Sequence, residues 1–519
     1  MQPDQPAPSC TTRLENLAWR IAALAALAGA ALLWVRHLQA FWRFTTDDSF
    51  ITFRYAANLI GGHGPTYNPG GPPIEGYTTF LWMLISALPQ ALGIDVVGFA
   101  KWFGLAATLG VLAITFVLAM QWARALPPAP RTLVAGLAVL ALAAFGPTAW
   151  HAVAGMETHL FTLLLLGFAA LLTYYLEDAA QRSPLPAAIT ALLLGLTRPE
   201  GNLAALAGFG AALLLAPPEA RPRLLRTVGL VYGLPGAVYF TWRTLYYGLA
   251  LPLPFYLKVA DQGALAGWPE LRAFLRLWMP PLCVPLLAGV LRLRRSAIPA
   301  ALGVLALLTF FAFPAHIMGY GWRYLTPSLP ILLALSAAGV GQIAAWAGAR
   351  SSVLQPATLI VGTGLGVLLA LGLHTRAGPE ANGATWYAYS LENAQIALGR
   401  RLAAFAGPEA GLVLAIPDAG AAPYYSGWVT VDTGGLNDPQ IALSGEHSPD
   451  YILGQGVDVL VVNSHDKESF EAVEPWEADL YAAALAQGMA PVKVINFNYY
   501  FLWVLADPAS PVGAYLSAP

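Results

Sequence analysis

The sequence predicts a polytopic α-helical membrane protein that carries a C-terminal water-facing α/β domain. Three observations carry that prediction. Hydrophobic residues fill 57% of the 519 positions and charged residues only 11%, where a soluble globular domain holds roughly 25% charged. The apolar residues gather in a dozen runs, many close to the roughly 20 residues that cross a bilayer. Charge is also divided along the chain: residues 374–519 hold 16 Asp and Glu against 5 Lys and Arg, while the first 373 hold 22 basic residues against 13 acidic. This pattern excludes a disordered chain, a nucleic-acid binder and an ordinary cytosolic enzyme. Cys10 and Cys283 are the two cysteines and lie in a polar tail and an apolar run, so no disulfide framework is implied.

The apolar runs centre on residues 17–39, 79–92, 102–121, 132–150, 158–176, 185–197, 202–216, 227–247, 278–291, 297–313, 325–347 and 354–373. The first has Arg20 before its apolar stretch and no small-residue cleavage site after it, so it reads as a retained helix rather than a signal peptide. Short loops rich in Lys and Arg stay cytoplasmic. Placing Arg124 with Arg131, the Arg221–Arg226 run, the Arg292–Arg295 cluster and Arg350 inside requires that 79–92 not cross. Its 14 residues suit a half-length helix that dips in and returns. The expectation is therefore about eleven spanning helices and one short re-entrant or interfacial helix over residues 1–373. The N-terminus is then cytoplasmic and residues 374–519 lie outside. In that tail, 412–416, 457–462 and 492–495 read as strands, and 386–405 and 474–488 as helices.

This topology gathers the polar motifs on the outer face. The first outer loop, within 41–78, opens with the adjacent carboxylates Asp47 and Asp48. They can supply a general base, hold a divalent cation such as magnesium or manganese, or simply cap the helix that follows. Arg54, seven residues on, shares the face of Asp47 and offers a phosphate-binding fork. Glu157 can orient a sugar hydroxyl or serve as a helix N-terminal acid. Arg198 and Glu200 sit at a sharp break between two apolar runs, as ligands or as an interfacial ion pair. Lys258 and Arg323 run against the positive-inside preference, which favours an anionic partner such as a lipid phosphate. Tyr256 and Tyr324 can stack on a sugar ring or belong to the interfacial aromatic belt. In the tail, Asp418, Asp432, Asn437 and Asp438 fall at strand ends, where open α/β sheets place ligands. His63 and His151 are isolated and read as packing residues.

Several of these runs resemble a known family. Asp47-Asp-Ser-Phe-Ile-Thr-Phe-Arg-Tyr-Ala56, Asn68-Pro-Gly70 and Glu75-Gly-Tyr-Thr78 are similar to the first outer loop of a bacterial GT-C glycosyltransferase group. That group includes the mycobacterial terminal β-(1→2)-arabinofuranosyltransferase. Gly155-Met-Glu-Thr158, Arg198-Pro-Glu-Gly201, Phe255-Tyr-x-Lys258, Arg323-Tyr324, Asp418-Ala-Gly420 and Asp432-x-x-Gly-Leu-Asn-Asp438 follow in the same order. The resemblance implies an inverting transferase of a bacterial inner membrane. It would move a sugar, arabinofuranose in the group's named member, from a polyprenyl-phosphate donor to a cell-envelope glycan or lipid acceptor. It implies a base at Asp47 or Asp48, with a lean to Asp47. Donor phosphate contacts fall to Arg54, Lys258 and Arg323. Sugar or acceptor contacts fall to Asn68, Glu75, Tyr77, Glu157, Arg198, Glu200, Tyr256, Tyr324, Asp418, Asn437 and Asp438. The segment before Lys258 departs from the group, with Leu-Pro-Leu-Pro in place of Pro-Asn-Thr. The alternative from another class is a transporter or flippase of lipid-linked sugars. Such carriers bind at the bilayer midplane between repeated halves, whereas these motifs cluster at one face and no repeat is visible.

Overall fold

A computed structural model describes residues 10–259, 265–291 and 297–518. The bundle begins with α1 (Cys10–Phe41), α2 (Asp47–Ile60), α3 (Phe80–Ala91), α4 (Val96–Trp122), α5 (Pro128–Ala144), α6 (Gly146–Val153) and α7 (Thr158–Glu177). It continues with α8 (Leu185–Thr197), α9 (Gly201–Leu215), α10 (Arg221–Thr227), α11 (Leu234–Tyr247), α12 (Leu253–Val259), α13 (Trp268–Leu291), α14 (Ile298–Phe310), α15 (Leu329–Gly348) and α16 (Leu354–Leu391). Among the described residues six helical stretches are long and apolar enough to cross a membrane, or seven with the bent pair α5–α6, where the sequence reading expected about eleven; α8, α9 and α14 are shorter apolar helices. The chain is a multi-pass membrane protein. Pro147 near the start of α6 and the extended backbone of Phe145 (ψ 106°) break α5 from α6, because a proline ring cannot continue the preceding helix. The two axes meet at 62°.

Every apolar run of the sequence forms a helix, and the half-length segment is α3, with 12 residues. Both ends of α3 lie against α2, and its second end also meets the C-terminal domain. Thr79 before it meets Thr52 of α2, and Gln90 near its end donates to Phe53 O at 3.1 Å and accepts from Tyr424 of the domain. At the opposite end of the bundle, Arg124 and Arg182 share Glu177, and Arg223 donates to the Arg182 carbonyl. The Arg292–Arg295 cluster lies outside the described residues.

The tail contains α17 (Ala397–Phe405), β1 (Val413–Ile416), α18 (Ala421–Ser426), β2 (Val429–Asp432), α19 (Pro439–Ser444) and α20 (Pro449–Leu453). It ends with β3 (Val459–Ser464), α21 (Pro475–Ala486), β4 (Ala490–Phe497), β5 (Tyr500–Ala506) and α22 (Pro511–Ser517). The sheet order is β2-β1-β3-β5-β4, with β2, β1 and β3 parallel and β5 antiparallel to both neighbours. All six residues of β3 are buried, and the first four, Val459–Val462, form a continuous apolar run at the sheet centre. Two further features differ from the sequence expectation. The boundary at 373 falls inside α16, which carries the chain from the membrane bundle into the tail without a break. The tail is also no separate body: Phe50 and Phe53 of α2 and Trp82 of α3 share one apolar core with Leu414, Ile416 and Val461 of the sheet.

Candidate active site between the bundle and the C-terminal domain

The helix α2 is wedged between bundle and tail, and its successive residues serve opposite sides. Adjacent helical positions point about 100° apart, so Asp47 and Asp48 enter different environments. Asp47 faces the tail. Its Oδ1 accepts the Ala421 N–H at 2.8 Å, and its own backbone N–H donates to the Tyr387 hydroxyl at 3.1 Å. Gly420 approaches so closely that a Cβ there would collide with the Asp47 carboxylate and carbonyl. Burial, and then the nearby Asp418 carboxylate, raise the Asp47 carboxyl well above the usual carboxylate range. Asp48 instead lines a cavity of about 330 Å³ between the bundle and the first loop. Of the pair, Asp48 and not Asp47 lines this cavity, while Asp47 keeps one carboxylate oxygen on the tail backbone.

Arg54 shares the tail-facing side, as its spacing from Asp47 requires. Its guanidinium donates to the carbonyls of Tyr67 (2.7 Å), Trp428 (2.7 Å) and Pro423, and to Asn68 Oδ1 (2.9 Å). With four acceptors inside the protein, Arg54 does not line the cavity, although the sequence reading expected it at the donor phosphate. Asn68 is likewise a seam residue, exchanging two hydrogen bonds with the Thr430 backbone of β2 at 2.8 and 3.0 Å. In this way it caps an otherwise open sheet edge.

The cavity is built from the first loop, α9, α14 and the turns before α12 and α15. Its polar wall is Asp48, Arg198, Glu200 and Arg323, with Tyr77 and Tyr324 beside them. Its apolar wall includes Leu203, Leu251, Phe310 and Phe311. Behind the polar wall stands Glu157, fully buried. Gly155 (φ 83°) turns the chain between α6 and α7 in the left-handed region open to glycine, and Ser49 leaves no room for a Cβ there. The turn aims Glu157 inward. Glu157 Oε1 accepts from Arg198 Nη1 at 2.9 Å and Arg323 Nη2 at 3.0 Å, and Arg198 Nε donates to Glu200 Oε1 at 2.5 Å. Burial alone would raise the Glu157 carboxyl, but the Arg323 and Arg198 guanidiniums outweigh it and hold the group below its ordinary value. Arg323 spends one nitrogen on this network and Arg198 two, and the buried Arg323 Nε meets no acceptor among the described residues.

Other expected ligands stand elsewhere. Glu75 is buried in an ion pair with Arg243 of α11, a partner that the sequence reading missed. A lone arginine inside an apolar run was the available signal, since a charge there needs a counterion. Tyr77 shares a hydrogen bond with Tyr247 at 3.0 Å at the cavity edge. The Tyr324 hydroxyl donates to Ile317 O at 2.7 Å, and its ring lies 5.0 Å from the Arg198 guanidinium. Tyr256 is half-buried on α12 and does not line the cavity, although Phe255 does. Lys258 lies on α12 with its side chain outside the described residues.

In the tail, Asp418 accepts from Gln395 at 2.6 Å and Tyr500 at 2.9 Å, and burial raises its carboxyl. Asp432 accepts from Gly434, Gly435 and twice from Asn437. Asn437 in turn accepts from Tyr55 at 3.0 Å. Asp438 caps α19 and accepts from Tyr451. These strand-end residues hold the tail's own loops and its contact with α2, so none of them reaches the cavity. The sequence reading also passed over His316, which lines the cavity and whose Nε2 donates to Phe311 O at 2.8 Å. Among the described residues no three His, Cys, Asp or Glu side chains gather as a metal site. The Asp47 and Asp48 carboxylates face the tail and the cavity respectively.

Against known proteins, a family described as a domain of unknown function, DUF8728, matches residues 385–503, most of the tail. No curated protein matches the chain in sequence. Among solved structures, ArnT from Cupriavidus metallidurans bound to undecaprenyl phosphate aligns with a TM-score of 0.60 at 13% identity. The alignment covers 96% of this chain and 99% of that one. Its apo form gives 0.58 at 14% identity, covering 96% and 98%. The apo oligosaccharyltransferase of Archaeoglobus fulgidus gives 0.50 at 13% identity, covering 85% of this chain and 69% of that one. The likeness is one of fold alone, a helical bundle joined to a small C-terminal sheet domain.

Proposed function

We propose that the chain is an inverting glycosyltransferase that takes a sugar from a polyprenyl-phosphate donor at the outer face of a bacterial cytoplasmic membrane. The observation that carries this reading is the amphipathic cavity, where Asp48 stands among Arg198 and Arg323 on one wall and aliphatic and phenyl groups form the other. An anionic phosphate attached to an apolar chain needs both walls together. The solved ArnT complex with undecaprenyl phosphate supports a lipid phosphate of this class. The acceptor is an envelope glycan or lipid, and the loop motifs make arabinofuranosyl-phosphate polyprenol the first donor to try.

In the proposed reaction the Asp48 carboxylate accepts the proton of an acceptor hydroxyl as that oxygen attacks the anomeric carbon. The bond between the anomeric carbon and the phosphate oxygen breaks from the opposite side, and the polyprenyl phosphate leaves with the electron pair. The Arg198 and Arg323 guanidiniums, fixed by Glu157 and Glu200, stabilise the charge that grows on the departing phosphate. Glu157 itself is a positioning residue. No step runs through a metal ion, since the carboxylates present do not converge. Turnover is therefore expected to survive a chelator, and loss restored by magnesium or manganese would overturn that part of the scheme.

The test is sugar transfer by purified protein from a panel of polyprenyl-phosphate sugars. Transfer from one donor, lost in Asp48→Asn while donor binding survives, supports the reading. Donor binding without turnover in the wild-type protein would favour a carrier of lipid-linked sugars instead.

A further inference from the structure

We propose that a polar pocket on the far side of α2 from the active-site cavity binds the phosphate of an anionic lipid headgroup and ties the C-terminal domain to the bilayer surface. The pocket has a volume of about 360 Å³ and is lined by Arg43, Thr45, Asp95, Lys101, Glu392 and Arg400, among others. Arg43 and Thr45 come from the turn before α2, Asp95 and Lys101 from the start of α4, and Glu392 and Arg400 from the tail side. Three cations and two anions meet there, and both anions are already engaged. Asp95 caps α4 by accepting the Gly98 N–H at 2.7 Å, and Glu392 pairs with Arg400 at 2.8 Å.

The cations are less fully engaged. Lys101 Nζ donates to the Trp42 carbonyl at 2.8 Å, which uses one of its three hydrogens. Arg43 is exposed and makes no hydrogen bond or ion pair among the described residues. The Arg400 guanidinium lies 4.9 Å from the ring centre of Tyr425, which forms part of the pocket wall. The pocket thus holds one positive charge in excess and several undirected N–H donors, the chemistry that captures a phosphate.

Depth decides where that phosphate comes from. Trp42 and Trp102 pack edge to face at 5.5 Å between ring centres, and Trp102 is 62% exposed beside Lys101. Exposed tryptophan at the end of a spanning helix marks the headgroup level of a bilayer. The anion available at that level is a lipid phosphate. Arg43 and Lys101 belong to the bundle and Arg400 to the tail, so one headgroup would bridge the two. The inference does not rest on the catalytic reading.

Native mass spectrometry of the full chain, released from nanodiscs of equal phosphatidylglycerol and phosphatidylcholine, tests it. The wild-type protein is expected to retain phosphatidylglycerol with about tenfold preference, the equivalent of one charge-assisted hydrogen bond. Arg43→Gln with Lys101→Gln should abolish the preference. Arg43→Gln alone, which disturbs no internal bond, should reduce it. Arg124→Gln, at the opposite end of the bundle, should leave it unchanged. Equal retention in wild type and both pocket variants, or an equal loss in Arg124→Gln, would overturn the assignment. A thermal-unfolding scan separates the sources: stabilisation by phosphatidylglycerol but not by inorganic phosphate is expected. Equal stabilisation by inorganic phosphate would overturn the lipid origin.

Discussion

Glu157 holds its charge with no exposed surface because two guanidiniums converge on one of its oxygens. Replacing it by Gln would leave Arg198 and Arg323 facing each other in a buried site. Breaking a buried pair of this kind costs about 3–5 kcal/mol, so Glu157→Gln is expected to lower the thermal unfolding midpoint markedly; an unchanged midpoint would contradict the network. The neighbouring carboxylates of α2 make a sharper contrast. Asp47 acts as a buried acceptor for the Ala421 N–H and is held toward its neutral form, and Asn is a close mimic of a neutral Asp. Asp47→Asn is therefore expected to fold and turn over close to wild type. Asp48→Asn should lose about 10²- to 10⁴-fold in turnover, the usual contribution of a general base. A reversed order in the two rate constants would return the base to Asp47. The sequence made the pair visible but could not rank it, since which side of a helix meets a cavity depends on what packs against the other side.

At the scale of elements, α2 is the joint of the molecule. It lends Phe50 and Phe53 to the tail core, Asp47 and Arg54 to the tail backbone, and Asp48 to the cavity. Two glycines let the surfaces close: Gly420 lies against Asp47, and Gly76 lies against Asn437. A methyl group at either position must push the surfaces apart, at a cost of about 1–3 kcal/mol. Gly76→Ala is expected to speed hydrogen exchange in residues 65–76 and 433–438 while α15 and α16 stay protected. Uniform protection would show that the seam can absorb the methyl group. The strands of the tail were partly legible, because 412–416, 457–462 and 492–495 are β-rich runs. The edge role of β2 was not. Its partner on the open side is the Asn68 side chain, 362 residues away, and no local pattern announces such a contact.

For the whole molecule, the buried carboxyls Asp47 and Asp418 set a pH dependence on the union of bundle and tail. Both are raised by burial, Asp47 also by the Asp418 charge. A group raised on folding gives stability that is fully present below its unfolded pKa, about 4 for Asp, and that is lost as pH rises through the folded value. The seam is thus expected to be tighter at pH 5 than at pH 8, read as slower protease cleavage near Ala419–Ala422. Faster cleavage at pH 5 would reverse the sign and place ionised carboxylates in the seam. The shared core leads to another expectation: residues 392–519 expressed alone should lack fixed tertiary structure by near-ultraviolet circular dichroism, because the face that meets Phe50, Phe53 and Trp82 is left uncovered. A well-folded isolated tail would show that this face needs no partner.

The sequence by itself determined the membrane class, the position of every long helix, the half-length α3 and the set of loops that gather at one face. Those properties follow from local hydropathy and from basic loops, both written in consecutive residues. The tertiary structure alone decided the roles within that face. Glu157, Arg198, Glu200 and Arg323 become one network, Arg54 and Asn68 turn away to hold the tail, and Arg243 appears as the counterion of Glu75. Pairing buried charges across 41 to 168 positions depends on how helices pack in space, and the order of residues along the chain does not contain that geometry.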